Sequence, residues 1–152
     1  MNSVSFAHGP AIVVAATVLA ACGGSRPTPQ NPAPAAPEQT VAQFLAAANA
    51  ADLERMASLW GDQRGPSNVT NTIPPDQRQT RLTIMQRLLA SDEHRVLRES
   101  SQPEGARLLQ VELVRGTRRF TVPFTLVQVR TGGWLINAIG LDAAMPPTRP
   151  QS

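Results

Sequence analysis

The sequence predicts an α+β fold in which three N-terminal helices pack on a curved antiparallel four-stranded sheet. Apolar residues recur with a helical period between Val41 and Trp60, and again between Leu82 and Leu89. From Arg95 onward the period drops to two, that of a half-buried strand. Gly116-Thr117 and Gly132-Gly133 interrupt the alternating runs where tight hairpin turns belong.

Each element has a local reason. Val41, Phe44, Leu45 and Ala48 stand at i, i+3, i+4 and i+7, one face of a first helix. Leu53, Met56, Ala57 and Trp60 repeat the pattern, with Asp52 as N-cap and Gly61 as stop. A polar loop with Gly65, Pro66, Pro74 and Pro75 leads to a third helix over about Asp76 to Ala90. Its Leu82, Ile84, Met85, Leu88 and Leu89 form a broad apolar face, and Met56 and Met85 read as packing residues. "RVLRES", "ARLLQVELV", "RRFTVPFTLVQV" and "GWLINAIGL" read as four strands. A turn at Gly116-Thr117 pairs Arg115 with Arg118, Leu113 with Phe120, Val111 with Val122 and Leu109 with Phe124, placing all three apolar pairs on one face. Pro123 then directs its missing N–H toward the end of the last strand, opposite about Asp142, where no ladder bond is needed. The domain is expected over residues 38–142, with a disordered tail over 143–152.

The first 37 residues have a different character. Ala11 to Ala21, "AIVVAATVLAA", is an uncharged run of eleven residues. A bilayer core of about 30 Å needs about 20 helical residues, so the run is too short to span one. It has the length of the apolar segment of a secretory signal, expected over residues 1–21. "MNSVSFAHGP" carries no Arg or Lys, which reads as a weak signal or a start assigned too late. Cys22 is the only cysteine, so an internal disulfide is excluded and the thiol is inert, reactive or modified. Leu19, Ala20, Ala21 and Cys22 resemble the bacterial lipobox, Leu-Ala-(Gly/Ala)-Cys. The resemblance implies cleavage between Ala21 and Cys22, a thioether to diacylglycerol and acylation of the new amino terminus, palmitate being the usual chain. A thiolate suits that step as the best side-chain nucleophile near neutral pH. Two or three acyl chains anchor firmly where one is marginal. Gly23 after Cys22 implies, by resemblance to enterobacterial sorting, the outer membrane facing the periplasm. Ordinary secretion and a chance cysteine are the other readings. Residues 22–37, with five prolines from Pro27 to Pro37, form a polyproline-like tether of about 3.1 Å per residue.

"VAQFLAAANAADLERMASLW" and the closing "GGWLINAIGLD" resemble the cone-shaped α+β family named after nuclear transport factor two. That family includes polyketide-cyclase-like enzymes, ketosteroid isomerase and many lipoproteins of unknown function. Its enzymes work in a pocket between sheet and helices, with Asp, His or Tyr as acid or base. Here there is no Tyr, and beyond the signal the only histidine is His94, beside Asp92 and Glu93 in a turn. No nucleophile motif, phosphate-binding loop or cofactor motif is present. The residues available to a pocket are Trp60, Arg78, Arg81, Phe124, Gln128 and Asn137: two amides at one end of an apolar space and two arginines at the start of the third helix. Either they hold a small anionic or amide-bearing ligand, or the amides satisfy each other while the arginines reach solvent. On the opposite sheet face Val127, Val129 and Trp134 offer an apolar surface for a homodimer or an envelope partner, unless the preceding linker or the first strand covers it. "VRGTRRF" reads as a solvated hairpin tip or a lipid-headgroup contact.

Composition narrows the classes further. All 14 basic side chains are arginine, and the formal net charge of +3 is too small and too dispersed for nucleic-acid binding. The expectation is a lipid-anchored cell-envelope protein with a non-catalytic binding domain, the rival being a small lyase or isomerase for an apolar substrate.

Overall fold

The computed structural model describes residues 32–147, so Cys22, the signal and most of the tether lie outside the described residues. Helix α1 (Pro37–Asn49) opens on Pro37, whose absent N–H is one of the donors a helix start leaves unbonded anyway. Ala51, at φ 53, turns the chain into α2 (Leu53–Leu59), and the Asp52 carboxylate caps α2 by accepting from Arg55 N at 2.9 Å. A two-residue hairpin, β1 (Gly61–Asp62) and β2 (Gly65–Pro66), and a one-turn helix, α3 (Ser67–Thr70), occupy the expected polar loop. Helix α4 (Pro75–Leu89) follows. Four strands complete the domain: β3 (Glu93–Ser101), β4 (Arg107–Arg115), β5 (Arg118–Gln128) and β6 (Trp134–Ile139).

The sheet is an antiparallel meander in the order β3-β4-β5-β6. In the β4–β5 hairpin Arg115 pairs with Arg118, Leu113 with Phe120, Val111 with Val122 and Leu109 with Phe124, the register read from the hydrophobic pattern. Leu109, Val111, Leu113, Val122, Phe124 and Leu126 are fully buried and meet Phe44, Leu45, Met56 and Leu59 from the helices. Ile84 departs from the expected face of α4: it is exposed, while Leu82, Met85 and Leu89 are buried.

The second hairpin departs from expectation. Its connection is the five residues between Gln128 and Trp134, closed by Val129 N donating to Gly133 O at 3.0 Å, and not a two-residue glycine turn. Phe124 pairs with Ile139 and Leu126 with Ile136, so a bulge at Asn137 lies between them. Pro123 accordingly faces Gly140 and not Asp142: its carbonyl accepts from Gly140 N at 2.9 Å. A side chain at Gly140 would lie 2.5 Å from the proline ring, so glycine leaves the ring its space.

Both sheet edges are managed. On β6 the chain leaving α2 lies alongside, with Trp60 bridging Ile136 in parallel and Asn137 Nδ2 donating to Gly61 O at 3.1 Å. On β3 the pairing slips between Val96 and Arg98, leaving Leu97 half exposed among Arg95, Arg98 and Glu99. A bulge flanked by charges makes a poor template for another strand.

The domain is also longer than expected. Trp134 N donates to Pro34 O at 2.9 Å, the Thr40 hydroxyl lies 3.1 Å from Trp134 O, and Pro34 is buried. Ala33 and Pro34, assigned to the tether on composition, are thus packed residues of the fold. At the other end a 3₁₀ turn over Leu141–Ala144 buries Ala144, so the chain is not yet tail at residue 143.

Two glycines separate backbone strain from crowding. Gly133 sits at φ +88 with the space for a Cβ 2.5 Å from Ala33 O, whereas Gly116 sits at φ +58 with nothing within 4 Å. Gly116→Ala should cost about 1 kcal/mol of conformational energy alone. Gly133→Ala should cost about 2–4 kcal/mol, because the Ala33–Pro34 contact must also give way. Urea denaturation of the two variants checks the difference, and equal losses would refute the docking of Ala33.

Candidate functional site

The residues expected to line one pocket fall into three environments. Trp60 and Phe124 are core, 7% and 0% exposed. Arg78 is half-buried and works as a clasp: its Nη1 donates to Ser67 O at 2.8 Å and to Asn71 Oδ1 at 3.2 Å, holding α3 and the turn after it against α4. Arg81, Gln128 and Asn137 are exposed. The bulge is why Asn137 misses the expected face: as the extra residue it turns toward Val127, and the two border a common surface depression. Gln128 keeps its alternation but lies at the end of β5, beyond the reach of the helices.

Of the expected interface residues, Val129 is buried, while Val127 and Trp134 are half-buried. Trp134 packs against the core, and the linker does lie along this end of β6, through Ala33 and Pro34.

The space between helices and sheet is filled. Phe44, Leu45, Met56, Leu59, Leu109 and Phe124 occupy it, all 0% exposed. Openings lie on the surface instead. One depression of about 430 Å³ runs between the start of α2 and the start of α4, bordered by Asp52, Glu54, Pro75, Arg78, Gln79 and Leu82. Asp52 and Arg78 are already engaged there as cap and clasp. Two more depressions lie at the end of the sheet carrying the β1–β2, β3–β4 and β5–β6 connections.

Two of the three arginines of "VRGTRRF" are bonded into the domain, while Arg119 stays exposed at the tip. Arg115 Nε donates to Ala90 O at 2.8 Å and its Nη2 to Leu88 O at 2.5 Å, satisfying carbonyls that the last turn of α4 leaves unpaired. Arg118 donates to Ala144 O and Met145 O and stacks over the Phe120 ring, 4.6 Å from its centroid. Arg119 and Arg95 flank Glu112, each at 3.3 Å. The backbone N–H of Gly116 donates to Asp92 Oδ2 at 2.7 Å, so the hairpin tip is tied to the residues following α4. Sequence reasoning missed these clasps because their partners are backbone carbonyls 25 or more residues away, which leave no mark in composition or period.

Asp62 and Arg64 close the small hairpin with a 2.7 Å ion pair. The Arg64 guanidinium holds the Asp62 carboxyl below its ordinary value of 3.8, burial opposing it only in part. His94 is exposed on β3, and among the described residues no group of three His, Cys, Asp or Glu could hold a metal ion. Among the same residues no helix is long and apolar enough to cross a membrane.

Comparison with protein-family models, with curated proteins and with solved structures finds no match to this chain.

Two measurements test these assignments. Arg115→Ala should destabilise the domain by about 1–3 kcal/mol by stranding the α4 carbonyls. Arg119→Ala, at an exposed ion pair, should cost less than about 1 kcal/mol. Equal effects in thermal unfolding would overturn the capping role. For Asp62 the folded value is the lower one, so its contribution is complete above the ordinary carboxylate value and fades as pH falls through the folded value. An NMR titration of its carboxyl should have its midpoint below 3.8, and Arg64→Ala should raise it.

Proposed function

We propose that this chain is a bacterial cell-envelope lipoprotein, acylated at Cys22 and held in the outer membrane facing the periplasm, whose α+β domain acts by binding at its surface and not by catalysis. The lipobox resemblance of Leu19 to Cys22 and the uncharged run before it support the anchor. The order of helices followed by an antiparallel meander supports a cone of the nuclear-transport-factor-two kind.

One observation carries the binding reading. In a cone-shaped enzyme the reacting groups face a cavity between sheet and helices. Here Phe44, Met56, Leu59 and Phe124 fill that place, and the polar residues expected to serve it are spent on structure or stand outside. A filled interior leaves the exterior as the working surface: a ligand, an envelope protein or a second copy of the chain meets the domain there. With no nucleic-acid reading module in the sequence, lipid and protein are the macromolecular partners proposed.

Metabolic labelling with palmitate tests the anchor: label should enter the wild-type chain and be lost in Cys22→Ala, whereas equal incorporation refutes acylation. Crosslinking in the intact envelope tests the second half. A crosslinked species containing a second copy or another envelope protein is expected, and recovery of the uncrosslinked chain alone counts against a protein partner.

A further inference from the structure

Three connections distant in sequence meet at one end of the sheet, and each has a defined backbone. The β1–β2 turn is closed by the Asp62–Arg64 pair, with Gly65 at φ +145. The β5–β6 connection ends on Gly132 and Gly133, at φ +92 and +88, and Arg130 N donates to Gln63 O at 3.3 Å, joining it to the β1–β2 turn. The β3–β4 turn over Pro103–Gly105 places Glu104 itself at φ 59, ψ 22.

Between these connections lie two adjoining depressions of about 410 and 460 Å³. Gln63, Glu104 and Arg130 border both. Arg130 and Glu104 carry opposite charges on one surface, yet among the described residues neither makes an ion pair or a side-chain hydrogen bond, even with the other. The other charges bordering these depressions, Asp62 and Arg64, neutralise each other. Glu104 is held in left-handed backbone, which costs a non-glycine residue about 1–2 kcal/mol. The fold alone would favour glycine at that position, so the stability of the turn gives no reason for its exposed, unpaired carboxylate.

We propose that this end of the sheet binds a zwitterionic group, its anionic oxygens taken by Arg130 and its ammonium by Glu104. The guanidinium offers a planar pair of donors suited to phosphate or carboxylate oxygens. Gln63 and Gln128 supply neutral amide donors and acceptors at the rim. Binding of one charge alone leaves the other facing solvent, so a ligand that satisfies both ends is preferred to either half. The shared chemistry is a phosphate or carboxylate beside a primary ammonium, whether on a lipid headgroup or on a free small molecule. The site stands without the anchor and is read with a soluble probe, so its failure and a failure of Cys22 acylation are separate results.

The test is an NMR titration of the full chain carrying Cys22→Ser, with O-phosphoethanolamine as probe and inorganic phosphate and ethanolamine as its two halves. Amide shifts at Gly105, Arg130 and Gly132 should saturate at roughly millimolar probe, with each half about tenfold weaker. Arg130→Ala and Glu104→Gln should each weaken the probe by about fivefold. Glu104→Gly should weaken the probe about as much as Glu104→Gln while raising Tm by a few degrees, which separates the site from its scaffold. Phosphate alone binding as well as the probe, unchanged affinity in Glu104→Gln, or no shift up to about 50 mM probe would each overturn the proposal. Phosphatidylethanolamine vesicles that displace the probe assign the site to headgroups. Vesicles that leave the probe bound assign it to a free zwitterion, and either result upholds the chemistry.

Discussion

The β4–β5 hairpin is the constraint on which the rest of the domain depends. Its three cross-strand pairs, Leu109–Phe124, Val111–Val122 and Leu113–Phe120, commit one face of the sheet to the helices. A slip of one residue would turn every one of those side chains to solvent. The register is held at the tip as well as along the ladder. Asp92 receives the turn's Gly116 N–H, and Arg115 carries the hairpin's grip to the end of α4. Sheet and helical layer are thus joined by charge-assisted bonds to backbone at the same end where the apolar pairs begin.

From that hairpin the remaining features follow outward. β3 pairs with β4 but reaches past the helices, so only Val96 finds the core and the strand becomes a bulged, charged edge. β6 pairs with β5 through a bulge at Asn137, which frees that residue to hold the Gly61 carbonyl and so seat the small β1–β2 hairpin. The hairpin brings Gln63 to the connection carrying Arg130, and the groove at that end results. Surface chemistry at the loop end therefore derives from an irregularity in the sheet.

Much of the scaffold could be read from the residues, for identifiable reasons. Helical period placed α1, α2 and most of α4, and the spacing around Gly116 set the first hairpin because apolar alternation and turn length agreed. At the second hairpin the same reasoning failed. Gly132-Gly133 has the composition of a two-residue turn, but both glycines serve a five-residue connection, and Gly133 answers to Ala33 a hundred residues earlier. That change of loop length, with the bulge, moved Asn137 off the expected face and dissolved the pocket it was to share with Gln128. Arginine was the other blind spot. Composition counts 14 of them alike, yet Arg115, Arg118 and Arg78 grip carbonyls inside the domain and Arg130 stands free among the described residues.

The bond between Pro34 and Trp134 sets an order of events. The first packed residues among those described find their partner only in the last strand. A chain emerging amino terminus first would expose Ala33 and Pro34 long before Trp134 arrived. Those residues would travel as slack until nearly the whole domain had followed, and only then would the fold draw them in. Completion of β6 thus takes Ala33 and Pro34 into the fold at the same moment that it finishes the sheet.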